Sequence, residues 1–318
     1  MISPAATKLP IDASAAKMPS LTAALLAVVI AWFFWGPPAT SSEAASPAHP
    51  AGVASTTVSI AQTTAGPVGY RGVGSGSPLV LITGFSASMD DWPPTFVDAL
   101  AERHRVVVFD NAGVGATGSV TPLTITAMAN QTSALITSLG LGRTAVLGWS
   151  MGGMVAQALA VLHPSQVSRM VLAATQAGTG RALPVPSAVA AEAASTNPAA
   201  VLGVLFPADQ GPAVKQYMDG ILEYPGYYTA SPATKSAQTA AIGQWLAGQD
   251  PAGPPTKDLR VPALVADGTV DALDPVANDR LLARTIRGAR LVLYQGAGHG
   301  FLFQDSASFV RRVDAFLR

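Results

Sequence analysis

The feature that most constrains this chain is a regular alternation of short apolar runs with longer helical ones. Most of the short runs are apolar throughout, as expected for parallel strands buried on both faces. Strand, helix and strand in repetition favour a parallel sheet that is covered by helices on both sides. The sequence predicts strands over 57–61, 68–71, 79–83, 105–109, 144–147, 170–173, 263–266 and 290–294, and helices over 94–103, 125–139, 152–162, 276–286 and 306–317.

The alternation is interrupted once, between residues 176 and 259. Helical segments that contain Ala, Pro and Tyr follow one another there without a convincing strand. An insertion of that size over one end of a sheet is interpreted as a cap or lid. We therefore predict a core built from residues 56–175 and 260–318, with a helical cap over 176–259.

The first residues have the pattern of an export signal or a membrane anchor. Two lysines, Lys8 and Lys17, precede the uncharged run 21–35. A charged region followed by an apolar one is typical of a signal peptide, and the run is shorter than the roughly 20 residues of a membrane-spanning helix. Its aromatic outer end instead favours an uncleaved anchor, which would tether the chain to a membrane. We predict a signal peptide or anchor over 1–36, a flexible linker over 37–55, and a catalytic domain outside the cytoplasm.

Composition excludes several kinds of partner. Lys plus Arg and Asp plus Glu both total 19, and no stretch concentrates basic residues. The chain therefore lacks the cationic face that nucleic acids require. It has no cysteine, which excludes disulfides and thiolate ligands, and four histidines leave little for a metal site. We expect neither a metal nor a cofactor.

The strongest local signal is the sequence Gly-Trp-Ser-Met-Gly-Gly over 148–153. It lies between the predicted strand 144–147 and the predicted helix 152–162. A sharp turn from strand to helix needs small neighbours so that the serine can hold strained backbone angles with its hydroxyl exposed. The alternative is a glycine-rich turn with a capping serine. The placement favours Ser150 as a nucleophile.

A serine hydroxyl needs a neighbouring base, and elimination leaves one histidine for that role. His49 lies in the linker, His104 enters a strand, and His163 ends a helix before a proline. His299 follows the last predicted strand, at the edge where α/β sheets place their sites. Glycines on both sides let its ring project from a tight loop. A purely structural loop histidine is the alternative.

The base needs an acidic partner, and four aspartates lie at or just after the strand 263–266. Asp274 is interpreted as the N-cap of the next helix and Asp279 as a solvated helical residue. Asp267, directly at the strand end, is interpreted as a turn residue that bonds the backbone. We choose Asp271 as the acid, with Asp267 as the alternative.

Negative charge that develops on a reacting carbonyl oxygen needs two backbone donors, worth roughly 3 kcal/mol each. One is expected to be the amide of Met151, directly after the nucleophile. The other is expected from Phe85, in the turn after the strand 79–83, where Gly84 permits a close approach.

With Ser150, Asp271 and His299 in that chain order, the sequence resembles the α/β-hydrolase family from about residue 56 to the end. Within it, the chain is similar to the branch that contains small esterases, enol-lactone hydrolases and cofactor-free haloperoxidases. The segment 109–115 resembles the family's D-x-R-G-x-G turn, and 298–303 resembles its histidine loop. The resemblance implies a mostly parallel eight-stranded sheet flanked by helices.

The chain departs from the family pattern at two positions. Thr83 stands where the family usually has histidine before the oxyanion glycine, and Ala112 replaces the usual arginine. Serine at position 150 argues against the haloalkane dehalogenase and epoxide hydrolase branches, which resemble this pattern but have aspartate there.

The resemblance implies hydrolysis of a small or medium, neutral carboxylic ester or lactone through an acyl-enzyme. Trp149 and Phe301 are expected to line the substrate pocket. Two alternatives stay open, namely perhydrolysis by the same residues and a binding protein that keeps the fold without turnover. The oligomeric state cannot be derived from the sequence.

Overall fold

Eight β-strands pair into one sheet in the computed structural model, which describes residues 52–253 and 259–318. Their order across the sheet is β1-β2-β4-β3-β5-β6-β7-β8. The strand bounds are β1 Ser59–Thr63, β2 Gly66–Val73, β3 Ser77–Ile82, β4 His104–Phe109, β5 Thr144–Trp149, β6 Val167–Ala173, β7 Ala263–Gly268 and β8 Arg290–Tyr294.

The strands from β3 to β8 run parallel, whereas β2 is antiparallel to both of its neighbours. The two-residue connection between Thr63 and Gly66 is too short for a crossover, so β1 and β2 form a hairpin. All six residues of β5 are buried, as expected for a strand at the centre of a covered sheet.

Ten α-helices lie in the described residues, besides two 3-10 turns at Val53–Ser55 and Met89–Asp91. Their bounds are α1 Pro94–Ala101, α2 Ile125–Ser138, α3 Met151–Leu162, α4 Ser187–Ala193, α5 Pro198–Leu205, α6 Gly211–Ile221, α7 Pro232–Leu246, α8 Val276–Thr285, α9 Phe301–Gln304 and α10 Ser306–Leu317.

Helices cover both faces of the sheet because successive side chains of each strand point to opposite sides. In β3, Leu79 and Leu81 belong to a hydrophobic cluster with α1 and α10. Val80 and Ile82 belong to a second cluster with α2, α3 and α8. The two-sided α/β architecture expected from the alternation is therefore confirmed.

The folded part begins before Thr56, the start that the sequence predicts. The side chain of Val53 is fully buried, and its backbone N–H donates to Oδ1 of Asp98 at 2.8 Å. Residues 52–55 are therefore packed on the domain, and the predicted linker over 37–55 is wrong for these four residues. The packing of one valine among polar and small neighbours gives too weak a pattern to be read from the sequence.

Four helices, α4 to α7, lie between β6 and β7, in the segment for which the sequence predicts a helical cap. The hydroxyl of Tyr228 in this segment donates to Oδ2 of Asp110 at 2.6 Å, and Thr234 Oγ1 donates to the carbonyl oxygen of Gly113 at 3.0 Å. The helical content is thus present, and its role as a cap with the bounds 176–259 stays a prediction.

No helix within residues 52–253 and 259–318 is long and apolar enough to cross a membrane. The predictions for residues 1–36, including the apolar run 21–35, lie outside the described residues.

Candidate active site

Ser150 occupies a sharp turn between the end of β5 and the start of α3. Its backbone has φ +56° and ψ −122°, a conformation that residues with a side chain rarely adopt. Three hydrogen bonds hold its backbone: Ser150 N–H donates to the Ala173 carbonyl at 2.9 Å, and the Ser150 carbonyl accepts from Thr175 Oγ1 at 2.7 Å and from the N–H of Gly153 at 2.9 Å. Strain that is fixed in this way is typical of functional positions.

Two glycines make this turn possible. A Cβ on Gly148 would overlap the carbonyl of Gly152, and a Cβ on Gly152 would overlap the carbonyl of Ile82. The backbone therefore approaches β3 closely enough to bring the serine next to the loop that follows that strand. The small flanking residues that the motif contains are a steric requirement here.

His299 lies in the loop between β8 and α9 and is almost fully buried. Its carbonyl oxygen accepts from Nε1 of Trp149 at 3.1 Å. The next residue, Gly300, donates its N–H to the carbonyl of Leu205 at 2.7 Å. The loop that contains His299 is thus hydrogen-bonded both to Trp149, at the end of β5, and to Leu205, at the end of α5.

Asp271 contacts the imidazole directly. Its Oδ2 lies 2.6 Å from Nδ1 of His299, while its Oδ1 accepts the backbone N–H groups of Leu273 at 2.7 Å and Asp274 at 2.8 Å. A carboxylate only accepts hydrogen bonds, so the ring proton belongs on Nδ1. Nε2 is then unprotonated and able to accept a proton.

The surroundings adjust the proton affinity of this ring. Burial on its own would lower the pKa of His299, but the charge of Asp271, its hydrogen bond and the charge of Asp274 together raise that pKa above the ordinary value. The imidazolium form is therefore favoured by its acidic partners, as a proton acceptor in catalysis requires.

The three neighbouring aspartates all differ, at least in part, from their sequence interpretations. Asp274 does not cap a helix; it is buried, and its Oδ1 accepts from Nδ2 of Asn278 at 2.9 Å. Asp279 is fully buried instead of solvated, because α8 turns this face towards β7. Asp267 lies within β7 and not in a turn, although its Oδ1 does bond the backbone, accepting from the N–H of Gly268 at 2.7 Å.

These three acids form a buried cluster whose carboxylate oxygens lie within 4.8 Å of one another. Burial, with the nearby carboxylates, raises the pKa of Asp279 to about 9 and that of Asp274 to about 7. Burial also raises the pKa of Asp267 well above its ordinary value. Proton binding can therefore neutralise much of the cluster at neutral pH.

Phe85 and Met151 lie at the same cavity as Ser150. Met151 is the first residue of α3, so its N–H is among those that the helix leaves without an intrahelical partner. Gly84 approaches the serine closely, since a Cβ added to it would lie 3.2 Å from Cβ of Ser150. The two expected oxyanion donors are thus both in the neighbourhood of the serine.

The cavity has a volume of about 540 Å³ and is mostly apolar. Ser150, His299 and Trp149 line it together, so the structure brings these three predicted site residues to one surface. Apolar residues from the inserted helices supply much of the wall, among them Val201, Leu202, Leu205, Met218, Ile221, Ile242 and Leu246.

Phe301 does not line this cavity, and its predicted pocket role is wrong. Its ring is fully buried between Tyr294, with centroids 5.0 Å apart, and Phe309, at 5.1 Å. As the first residue of α9, it points into the aromatic core between β8 and α10. Phe301 is therefore close to His299 in the sequence but does not reach the cavity that His299 lines.

The sequence analysis also missed a carboxylate at the cavity. Asp91 is buried, and its Oδ1 accepts from the hydroxyls of Tyr217 at 3.2 Å and Tyr227 at 2.9 Å. Burial raises the pKa of Asp91 to about 6, although these hydroxyls and the N–H of Ser88 oppose the shift. The local pattern Ser88-x-x-Asp91 forms a capping box and so indicates only the start of a turn. The contact with the two tyrosines joins segments more than a hundred positions apart, which no local motif indicates.

The model of the alpha/beta hydrolase fold family matches residues 77–306. A protein of Mycobacterium tuberculosis with the provisional name non-heme bromoperoxidase BpoC is 40% identical over 114 residues, which cover 36% of this chain and 44% of that protein. This match thus spans less than half of the relative. A poly(3-hydroxyalkanoate) depolymerase of Ectopseudomonas oleovorans is 28% identical over 249 residues, or 76% of this chain and 84% of the depolymerase.

Among solved structures, an alpha/beta hydrolase fold protein from Chitinophaga pinensis superposes with a TM-score of 0.75 at 25% identity. The superposition covers 84% of this chain and 99% of that one. Because the family model matches more than half of the chain, this protein belongs to the alpha/beta hydrolase fold family.

Proposed function

We propose that this protein is a serine hydrolase that cleaves a small or medium, neutral carboxylic ester or lactone through an acyl-enzyme. Ser150 is the nucleophile, His299 the general base and Asp271 the acid that orients it. The observation that carries the proposal is the 2.6 Å contact between His299 Nδ1 and Asp271 Oδ2, beside a cavity that the strained Ser150 shares.

The reaction follows from the protonation state of the ring. Nε2 of His299 takes the hydroxyl proton of Ser150 while Oγ attacks the ester carbonyl, and the carbonyl oxygen becomes an oxyanion near the N–H groups of Phe85 and Met151. The same ring then gives its proton to the leaving alcohol oxygen as the C–O bond breaks. Water repeats these steps on the acyl-enzyme and releases the acid and free serine.

The size and the lining of the cavity favour an uncharged substrate of limited size. Its volume of about 540 Å³ lies within the range of roughly 300–1,000 Å³ that small-molecule sites occupy. Its wall is mostly apolar, which favours a hydrocarbon acyl or alcohol group. A lactone fits the same chemistry, because its leaving alcohol stays attached to the acyl chain.

Replacement of Ser150 by alanine tests the proposal. The Ser150→Ala variant should hydrolyse p-nitrophenyl esters roughly a millionfold more slowly than the wild type, by analogy with triad knockouts. Ser187→Ala, in an exposed serine at the start of α4, is the matched control and should keep wild-type turnover. Near-normal turnover in the Ser150 variant would remove the assignment.

A second candidate is perhydrolysis, favoured by the similarity to the protein named as a non-heme bromoperoxidase. Hydrogen peroxide would replace water as the attacking group on the acyl-enzyme and release a peracid, which then oxidises bromide. The residues are the same, so the test is bromination of a dye with acetate, peroxide and bromide present. Bromination that requires both acetate and Ser150 would support perhydrolysis. If the wild-type protein brominates no dye under these conditions, the perhydrolase candidate is rejected and hydrolysis remains.

We also propose that the catalytic domain acts outside the cytoplasm. The support is the sequence of residues 1–36, with two lysines before an uncharged apolar run. N-terminal sequencing of the mature protein distinguishes a cleaved signal from a retained anchor. Recovery of the full chain from the soluble cytoplasmic fraction would contradict export.

A further inference from the structure

The loop that carries Phe85 is held by the inserted helices rather than by the sheet alone. Ser86 donates its N–H to Oε1 of Gln238 in α7 at 2.8 Å, across 152 positions of sequence. The carbonyl oxygen of the same residue accepts from the N–H of Ala230 at 2.9 Å. Both backbone groups of Ser86 are thus bound to the segment between β6 and β7.

The backbone of Ser86 explains why such a hold is needed. It has φ +65°, one of three non-glycine residues in the described part of the chain with a positive φ. A residue with a side chain keeps this conformation only when its surroundings impose it. This conformation and the two hydrogen bonds fix the peptide group between Phe85 and Ser86. The N–H of Phe85 belongs to the adjacent peptide group, so its position depends on this loop being held in place.

The environment of Gln238 argues against a purely stabilising role. Its side chain is fully buried, and its Nε2 finds no hydrogen-bond partner among the residues that the structure describes. A buried amide that satisfies only one of its two ends carries a desolvation cost for the unpartnered end. The single bond that it makes ends on the loop next to the serine.

We propose that Gln238 is a positioning residue that sets the Phe85 amide for the oxyanion through its hydrogen bond to Ser86. This inference rests on the proposed function. Docking of α7 then completes the oxyanion hole, so the inserted helices contribute to the chemical step as well as to the cavity wall. Gln238 itself does not touch the reacting atoms.

Substitutions that remove the acceptor test this role. Gln238→Met keeps the length without the oxygen, and Gln238→Asn keeps the amide but is one methylene too short. Both should lower kcat by about 10- to 100-fold, less than the loss of a whole oxyanion donor, while KM changes by less than about threefold. Gln238→Glu keeps an acceptor oxygen and should stay closer to the wild type than either.

The matched control is Gln244→Met, which makes the same change at an exposed glutamine of the same helix and should leave kcat unchanged. Inhibition separates positioning from general damage. A trifluoromethyl ketone forms a tetrahedral adduct with the serine and should bind about 10- to 100-fold more weakly to the Met and Asn variants, whereas its unreactive methyl ketone counterpart should bind equally well.

Two results would overturn the inference. One is a folded Met or Asn variant with kcat within about twofold of the wild type; the other is an equal weakening of both ketones, which would indicate a damaged cavity. These outcomes require an active wild-type enzyme that depends on Ser150. Failure of the proposed function would instead appear as an inactive wild type.

Discussion

The Nδ1 atom of His299 lies 2.6 Å from Oδ2 of Asp271, and both side chains are buried. The other carboxylate oxygen is engaged by the backbone N–H groups of Leu273 and Asp274. The carboxylate of Asp271 is therefore held through both of its oxygens, and it favours the ring form in which Nε2 is free to accept a proton. We propose that this proton comes from Ser150.

Replacement of Asp271 by asparagine should reverse this tautomer. The amide would donate to Nδ1, so the ring proton would move to Nε2 and kcat would fall by about 10⁴-fold with the fold retained. Steady-state kinetics and circular dichroism measure both effects.

Asp267→Asn is the control for that substitution. Its pKa is raised well above the ordinary value by burial, so a neutral amide of the same shape should be tolerated, and Oδ1 can still accept from the N–H of Gly268. A loss in Asp267→Asn as large as that in Asp271→Asn would assign the acid to Asp267 instead.

The pH dependence of kcat/KM should report the ring of His299. The base works only when it is neutral, and its pKa is raised above the ordinary value of about 6.5. Activity should therefore fall as the pH decreases through a pKa above about 6.5. Asp274, whose own pKa is raised to about 7, carries part of a negative charge over this pH range and favours the imidazolium, so the acidic limb of Asp274→Asn should lie at slightly lower pH. A limb that stays in place or moves to higher pH in this variant would contradict the account.

Much of the fold is readable from local sequence pattern. Strand β8 and helix α10 have the bounds that the sequence predicts. The apolar run of β8 is followed by Gln295 and Gly296, and the amphipathic run of α10 begins directly after Asp305. Ser150 and His299 could be chosen because each follows a strand at the same edge of a parallel sheet. Asp271 could be chosen only after its three neighbours had been given other roles.

Contacts between segments that are distant in the sequence could not be predicted from local pattern. Asp279 lies in a polar helix, and its burial depends on how α8 packs against β7. Phe301 lies two residues after His299, yet the direction of its side chain is set by the aromatic core around Tyr294. The bond from Ser86 to Gln238 joins two segments with no shared pattern.

The inserted helices should determine which chain lengths the enzyme accepts. Leu202 in α5 lines the cavity and is partly buried, so Leu202→Trp would fill part of that volume. In a series of p-nitrophenyl esters, kcat/KM for long acyl chains should fall by about tenfold or more, while the acetate ester stays within about threefold. Leu222→Trp, at a leucine that is 62% exposed, should leave the series unchanged. An equal loss for all chain lengths in Leu202→Trp would contradict this assignment of the wall.

The most direct measurement of the central claim is the site of labelling by a fluorophosphonate probe, which reacts only with an activated serine hydroxyl. Peptide mass analysis of the labelled protein should find the phosphonyl group on Ser150 alone, and labelling should be lost in Ser150→Ala and strongly slowed in His299→Ala. A folded protein in which Ser150 stays unlabelled, or in which loss of His299 leaves the labelling rate unchanged, would contradict the proposed hydrolase.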